Sequence, residues 1–295
     1  MKKTEWPIRW DLLLRYRLIE IIALWEGRLT TNHICHGFGI GRQQASKDIN
    51  TYLRELAPGN LEYDRHLKGY VPAENFQPVV TQGEAEEYFD LIRRNEVLSQ
   101  TFETLDIGLP NSRILRLPRR LAEPTLARTV IAAIRQGRKL RAQYLSMDSA
   151  DAEQCLLEPH TLICGLDRWY VRGWCHNSEQ FRDFRLSRFR QPLTLLNERA
   201  RHGHHLDEDW QQLVTLVFQP SQRFNHHQRD LIAHDYGMTD QRLELTTRAA
   251  LAPHLLRQAG LGDATADTAE LELISQTEAA APPEATAQPR ALAEA

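Results

Sequence analysis

The chain has 295 residues, 42% hydrophobic and 25% charged, and its 36 Lys and Arg against 39 Asp and Glu give a formal net charge of −3. These values are typical of about two globular domains, and they exclude a wholly disordered chain and a uniformly basic coat protein. No apolar run approaches the ~20 residues of a membrane span, so no membrane partner is expected. Four cysteines without CxxC pairs indicate reduced thiols in a cytoplasmic protein.

The charge is unevenly distributed along the chain. Residues 1–72 carry 11 basic and 8 acidic residues, a net of +3, and residues 73–202 carry 19 and 17, a net of +2. Residues 203–295 carry 6 and 14, a net of −8. A basic front and an acidic back indicate that the front half binds an anion, although a mere drift of surface charge is the alternative.

Residues 1–72 are predicted to form three helices and a hairpin. Apolar residues recur at helical spacing in the first helix: Leu14, Leu18, Ile21 and Trp25. Thr30 caps a short second helix, a glycine-rich turn follows, and the third helix carries its own apolar stripe: Ala45, Ile49, Leu53 and Leu56. Two short strands, Leu61–Tyr63 and Gly69–Val71, flank a polar tip. This order is typical of a winged helix-turn-helix.

The rest of the chain is predicted to be a mixed α+β region. Residues 73–122 are predicted to be a helical linker, and residues 123–202 a small β-barrel, because one helix precedes five period-two runs. These runs are Lys139–Ser146, Leu156–Ile163, Arg168–Trp174, Phe181–Phe189 and Leu193–Leu196. Residues 203–278 alternate strands and helices, and residues 279–295 are an Ala/Pro-rich, disordered tail.

The third helix carries the residues expected to bind DNA. With its apolar stripe in the core, six polar side chains face outward: Arg42, Gln43, Gln44, Ser46, Lys47 and Asn50. Arg, Gln and Asn can pair with base edges in the major groove, whereas Lys favours phosphate. Arg65 and Lys68 at the hairpin tip are expected to contact phosphate. An ordinary solvated helix face is the alternative interpretation.

The central region resembles a known family. Glu158-Pro159-His160, Trp169-Tyr170-Val171 and Phe184–Phe189 resemble the WYL-domain transcriptional regulators, with Val171 in place of the name-giving Leu. Within that group, the chain is most similar to the BrxR/CapW-type regulators of phage-defence operons. The resemblance implies a winged helix-turn-helix, an Sm/SH3-like WYL barrel that senses a nucleotide or nucleic-acid effector, and a C-terminal extension.

The effector is expected to meet arginines and aromatic rings on the barrel. Alternate residues of one strand share a face, which groups Arg172 with Tyr170, and guanidinium groups and rings suit phosphates and bases. The candidate ligand-binding residues are Tyr144, Ser146, His160, Tyr170, Arg172, Arg185 and Arg188. Trp169 and Val171 are expected in the barrel core. Alternatively, some arginines form ion pairs with Glu158 or Asp183.

The sequence contains no GxSxG, P-loop or dinucleotide-binding pattern, so neither catalysis nor a cofactor is expected. Asp207 and Asp209 have no evident partners. A metal-dependent hydrolase acting on nucleic acid is the alternative from another class, with histidines as ligands: His202, His204, His205, His226 and His227. They lack HExxH spacing, so no metal site is predicted. A third alternative is a nucleic-acid-binding adaptor without an operator.

The C-terminal segment is predicted to form a homodimer. Four apolar residues are candidates for burial between subunits: Leu231, Ile232, Leu255 and Leu256. A two-fold dimer matches a palindromic double-stranded DNA operator with half-sites spaced by whole turns, although a monomer is the alternative. The sequence therefore predicts a cytoplasmic, dimeric, ligand-responsive regulator, and a repressor rather than an activator.

Overall fold

The computed structural model describes residues 9–99, 112–115, 123–147, 151–165, 168–262 and 268–279. The described residues up to 115 belong to one compact unit, and those from 123 onward belong to a second. Most of the predicted tail, from residue 280, and parts of the predicted linker lie outside the described residues.

The first unit is a winged helix-turn-helix, as predicted. Its elements are α1 (Trp10–Glu26), α2 (Thr31–Phe38), α3 (Arg42–Thr51), β1 (Leu61–Asp64), β2 (Gly69–Pro72) and α4 (Ala85–Ser99). Gly39, at φ 63°, ends α2 in the left-handed conformation, and Gly41 begins α3. A π turn, Tyr52–Leu56, extends α3, and β1 and β2 pair as an antiparallel hairpin, here called the wing.

A buried carboxylate anchors the segment after the wing onto α1. Glu20 is fully buried and accepts hydrogen bonds from Tyr52 Oη at 2.9 Å and from the backbone N–H groups of Val79 and Val80 at 2.9 and 3.1 Å. The backbone N–H and the hydroxyl of Thr81 each donate at 2.8 Å. We call this the Glu20 pocket. Its donors offset the cost of burying the charge and hold residues 79–81 in place.

The second unit begins with a helix packed on an antiparallel sheet. Its elements are α5 (Pro124–Gln136), β3 (Arg138–Tyr144), β4 (Glu153–Gly165), β5 (Arg168–Cys175), β6 (Gln180–Arg185) and β7 (Phe189–Arg199), and the sheet order is β6-β5-β4-β3-β7. Leu126, Val130 and Ala133 of α5 pack on the apolar face of the sheet.

The small Sm/SH3-like barrel is not confirmed. In the part of the chain that the structure describes, the edge strands β6 and β7 do not pair with each other, so the sheet is open. Because α5 covers the apolar face, that face is buried without closure of the sheet. The predicted strand Phe181–Phe189 is also wrong as one element, since a 3₁₀ turn at Leu186–Arg188 separates β6 from β7.

The predicted core position of Trp169 is wrong. Its side chain is 53% exposed, and its cross-strand partner Cys164 is exposed as well. This end of the β4–β5 hairpin therefore extends past the core. Val171, two residues further on, is fully buried as predicted.

The C-terminal part of the second unit is a three-stranded sheet with helices. Its elements are α6 (Glu208–Gln211), β8 (Leu213–Pro220), α7 (His226–Asp235), β9 (Leu243–Arg248), α8 (Ala252–Gln258) and β10 (Leu271–Ala279), with the antiparallel order β10-β8-β9. Of the four residues expected between subunits, three pack against the core of this domain: Ile232, Leu255 and Leu256. Leu231 is exposed.

Candidate nucleic-acid interface and effector site

The N-terminal half of α3 presents a polar surface. Ala45 and Ile49 are fully buried, which turns the opposite side of the helix outward. Of the six predicted DNA-binding side chains on α3, Ser46 is half-buried. The other five are exposed: Arg42, Gln43, Gln44, Lys47 and Asn50. This surface combines groups that can pair with base edges and a cation that can contact phosphate.

A buried ion pair fixes α3 against α1. Arg15 Nε lies 2.8 Å from Asp48 Oδ2, and both side chains are largely buried. Gln44 donates its amide N–H to Asp48 Oδ1 at 2.7 Å. The pair sets the rotation of α3 about its axis, and Gln44 is held by the same carboxylate.

The tip of the wing is held by Asp64. Its Oδ1 accepts the backbone N–H groups of His66 and Leu67 at 2.7 and 2.9 Å, which forms an Asx turn. Arg65 and Lys68 are both exposed beside this turn. The wing therefore presents two cations on a short, ordered hairpin.

The second unit brings five of the predicted effector residues together. Tyr170 and Arg185 are cross-strand partners on β5 and β6, and the Arg185 guanidinium lies 5.9 Å from the centre of the Tyr170 ring. The backbone N–H of Arg185 donates to Tyr144 Oη at 3.0 Å. The backbone N–H of Leu145 donates to the Arg188 carbonyl, which places Arg188 close to Tyr144 and Ser146. These five residues form one region, here called the Arg185 face.

Arg172 and His160 lie in a separate, buried cluster. Arg172 is 5% exposed and donates from Nε and Nη2 to the two oxygens of Asp207 at 2.6 and 2.8 Å. Its Nη1 donates to Asp183 Oδ1 at 3.2 Å, and His160 Nε2 lies 3.1 Å from Asp207 Oδ2. The guanidinium is thus occupied within the chain. An effector that uses Arg172 has to compete with these carboxylates.

The environment of this cluster shifts two pKa values. Burial lowers the pKa of His160 below its usual value, and the opposing attraction of Asp207 does not offset that shift. Burial alone would raise the pKa of Asp207, but the hydrogen bonds and charge of Arg172 hold it below its usual value. At neutral pH the cluster is therefore an ionised Arg172–Asp207 pair beside a neutral imidazole.

Sequence reasoning missed the partners that connect the sheet to the C-terminal domain. The expectation that Asp207 lacks partners is wrong, because it binds Arg172 across 35 positions of sequence. On α8, His254 Nε2 lies 2.7 Å from Asp183 Oδ2, and its ring packs on Tyr170 at 4.5 Å between centroids. Arg257 Nη1 donates to Tyr170 Oη at 3.4 Å. No local sequence signal links these residues.

The histidines proposed for the hydrolase alternative do not meet as a group. Among the described residues, His202 joins a cluster of potential metal ligands with Glu158 and His176. His226 instead pairs with Asp230 on an exposed turn of α7, at 2.7 Å.

Within the described ranges, none of the helices is both long and apolar enough to cross a membrane.

Three family models match the chain in the order of its domains. The BrxR transcriptional regulator winged helix-turn-helix domain matches residues 11–94, the WYL domain matches residues 125–193, and the BrxR transcriptional regulator C-terminal dimerization domain matches residues 213–278. This combination defines the class of WYL-domain transcriptional regulators.

Whole-chain relatives give the family. The chain is 31% identical to the DNA-binding transcriptional repressor CapW of Stenotrophomonas maltophilia, over 86% of this chain and 85% of that one. It is also 31% identical to the CapW repressor of Pseudomonas aeruginosa, over 88% and 86%. The chain belongs to the BrxR/CapW family of transcriptional regulators.

One solved structure gives a weak match. The proteasome accessory factor B/C (PafBC) of Arthrobacter aurescens matches with a TM-score of 0.25 and 17% identity, over 90% of this chain. This chain spans 46% of the length of that one. A TM-score this low supports no statement about fold or function.

Proposed function

We propose that the protein is a homodimeric transcriptional repressor that binds a palindromic double-stranded DNA operator. The observation that carries this proposal is the polar surface of α3, exposed beside a cationic wing. Arg42, Gln43 and Asn50 supply base-edge contacts, and Lys47 supplies a phosphate contact. Curated relatives of this chain are named DNA-binding transcriptional repressors, a non-enzymatic function. The regulated gene is its own or a phage-defence operon.

The domain organisation follows from this function. We assign DNA binding to residues 1–72, a linker to 73–122, effector sensing to 123–202 and dimerisation to 203–278, with a tail at 279–295. The model of a C-terminal dimerization domain matches within the fourth segment. Two copies of α3 related by a two-fold axis then face two half-sites, which is the arrangement that a palindrome requires.

A mobility-shift experiment with the DNA upstream of the gene tests DNA binding. The double variant Arg42→Ala/Lys47→Ala should lose at least about tenfold in affinity, since one base contact alone discriminates by about 1–3 kcal/mol. Arg54→Ala/Arg94→Ala is the matched control, because it removes two exposed cations of the same unit outside the α3 surface. Equal losses in the two double variants would leave only non-specific charge attraction and contradict the proposal.

The Arg185 face is the site we propose for a nucleotide or nucleic-acid effector. It combines the exposed or half-buried groups of Arg185, Arg188, Tyr144 and Ser146, with Tyr170 beneath Arg185. Guanidinium groups bind phosphate in a bidentate manner, and the rings accept bases. His160 and Arg172 contribute indirectly, because both bind Asp207 of the C-terminal domain.

Tyr170 is the residue that connects this face to the C-terminal domain. The Tyr170 side chain contacts the Arg185 guanidinium, and it also contacts His254 and Arg257 on α8. A ligand that draws the Arg185 guanidinium away from Tyr170 changes the packing of α8. A coupling of about 1–3 kcal/mol changes operator affinity by about 5–150-fold.

Replacing Arg185 tests effector sensing separately. We expect Arg185→Ala to abolish the change in operator affinity that a mononucleotide or a short single-stranded DNA causes, and to leave binding without effector intact. Arg182→Ala is the control. Arg182 is an arginine of the same strand, β6, but its side chain lies on the face of the sheet opposite to that of Arg185. Loss of operator binding together with the response would assign Arg185 a structural role.

A further inference from the structure

Three side chains of the kinds that bind transition metals converge at one end of the five-stranded sheet. Glu158 lies on β4, His176 directly follows β5, and His202 follows β7. The cross-strand pair of Glu158 with Trp174 and the bond from the His176 N–H to the Leu156 carbonyl bring the first two together. We infer that Glu158, His176 and His202 form a binding site for a divalent ion of the zinc class.

The distances are close to those of a tetrahedral site. His176 Nε2 lies 2.8 Å from Glu158 Oε1, and His202 Nδ1 lies 3.0 Å from Glu158 Oε2. One ligand atom from each of the three residues lies within 4.8 Å of the other two. Ligand atoms around tetrahedral zinc are about 3.3 Å apart. His176 Nε2 and Glu158 Oε1 therefore have to separate by about half an ångström, and the other pairs of ligand atoms, within 4.8 Å, have to approach by at most about 1.5 Å. Each imidazole then binds through the nitrogen that faces the carboxylate, with its proton on the other ring nitrogen.

The surroundings hold the ligands in place without using all their binding capacity. The backbone N–H groups of Arg201 and His202 both donate to Glu158 Oε2 at 2.6 Å, which leaves Oε1 facing His176. The Trp174 ring stacks on the His202 ring, with centroids 4.4 Å apart and planes 9° apart, and fixes its orientation. Such contacts around the ligands determine much of the affinity of a metal site.

The protonation state of the carboxylate suits a metal ligand. Burial would raise the pKa of Glu158, but the N–H groups of His202 and Arg201 and the two imidazoles lower it to about 2. Glu158 is therefore an anion at neutral pH, and metal ligands have to be deprotonated.

The site is open on one side. Glu158 is fully buried, whereas the side chains of His176 and His202 are 30% and 32% exposed. An ion can thus enter past the imidazoles, and water completes the coordination. Lys139 Nζ lies 3.7 Å from Glu158 Oε1, but it is closer to the exposed Glu198, at 3.1 Å, and can move fully to that partner.

The donor set determines the kind of ion. Two imidazoles and one carboxylate, without a thiolate, suit Zn²⁺, Ni²⁺ or Co²⁺ and disfavour Mg²⁺ and Ca²⁺, which prefer oxygen. The ion would tie residues 201–202 to β4 and β5, and this connection continues to Asp207, the partner of Arg172. The site is independent of DNA binding, and its failure would not affect the proposed operator contacts.

Metal titration of the full-length, tag-free protein tests this inference. After treatment with a chelator, calorimetry with Zn²⁺ alone should give one equivalent per chain, and Co²⁺ should give the visible bands of a tetrahedral complex. Mg²⁺ should give neither signal. Failure of the chelated protein to bind Zn²⁺ stoichiometrically would overturn the inference without any variant.

Two variants and a control locate the ion. His176→Asn and His202→Asn should each weaken Zn²⁺ binding at least 100-fold and abolish the cobalt bands, while His205→Asn, an exposed neighbour outside the cluster, should bind like the wild type. Zn²⁺ should raise the melting temperature of the wild type and of His205→Asn but not of His176→Asn. Zn²⁺ binding that survives in folded His176→Asn, verified by circular dichroism, would place the ion elsewhere and overturn the inference.

Discussion

Two buried glutamates, one in each unit, solve the same problem with different partners. Glu20 in the winged helix and Glu158 in the five-stranded sheet are both fully buried. The Glu20 pocket uses a tyrosine hydroxyl, a threonine hydroxyl and three backbone N–H groups. Glu158 also accepts two backbone N–H groups, but its remaining partners are two imidazoles and a nearby lysine.

The hydrogen-bond donors around Glu20 and those around Glu158 differ in their chemistry. The donors around Glu20 neither titrate near neutral pH nor bind metals, so that pocket can only hold the fold together. The imidazoles around Glu158 are side chains of the kind that bind transition metal ions. Glu20 is therefore an anchor of the winged helix, whereas Glu158 is buried beside side chains of a kind that binds metal ions.

Removal of the Glu20 carboxylate is expected to have the largest effect. Glu20→Ala leaves buried backbone donors without a partner and should cost about 4 kcal/mol of stability, since each hydrogen bond to a charged group contributes about 1.5–3 kcal/mol. Hydrogen exchange should show lost protection in the first unit and unchanged protection in the second. Glu62→Ala, an exposed glutamate on the wing, is the control. A loss below about 1 kcal/mol would show that the pocket is not an anchor.

Acidification is expected to act on Glu158 with an intermediate effect. Because its folded pKa, about 2, is below the ordinary value of 4.5, the stabilisation is complete above pH 4.5 and disappears as the pH falls toward 2. The difference in free energy of unfolding between wild type and Glu158→Gln should be about 2 kcal/mol at pH 7 and shrink below pH 4.5. A difference that stays constant from pH 7 to pH 3 would show that the carboxylate charge contributes nothing.

A single donor of the Glu20 pocket is expected to have the smallest effect. Thr81→Val removes one hydroxyl, while the backbone N–H groups still bind the carboxylate, so we expect a loss of about 1 kcal/mol. Thr51→Val, on α3, is the control and should change stability by less than half as much. Urea denaturation of the full chain measures both variants. Equal losses in the two variants would deny the hydroxyl a role in the pocket.

Local sequence patterns predicted the helices and strands, but they did not predict contacts between residues distant in the sequence. The apolar stripe of α3 predicted which side chains are exposed, because helical periodicity is a local property. Period-two alternation predicted the strands but not whether the sheet closes, since closure depends on how α5 packs. Trp169 was assigned to the core by its chemistry, but its position at the end of a hairpin exposes it.

Sequence reasoning named one partner of the candidate sites, Asp183 for an arginine, but could not supply the partners from the C-terminal domain. Arg172 is the cross-strand partner of Asp183, and Arg185, two positions after Asp183, is the partner of Tyr170. Arg172 is nevertheless buried against Asp207, whereas Arg185 lies beside Tyr170. The difference arises from the C-terminal domain, which places the Asp207 carboxylate on Arg172 but contacts Tyr170, the cross-strand partner of Arg185, through His254 and Arg257. Arginines with the same sequence signal therefore have different environments.

Binding to the intact operator is the measurement that tests the account most directly. The affinity of the full chain for the DNA upstream of its gene is compared with that for a scrambled duplex of equal length, at one physiological salt concentration. The account predicts that the intact sequence binds at least about 10³-fold more tightly, as specific regulators do. Equal affinities for the two duplexes would contradict it, because charge attraction alone would then explain the binding.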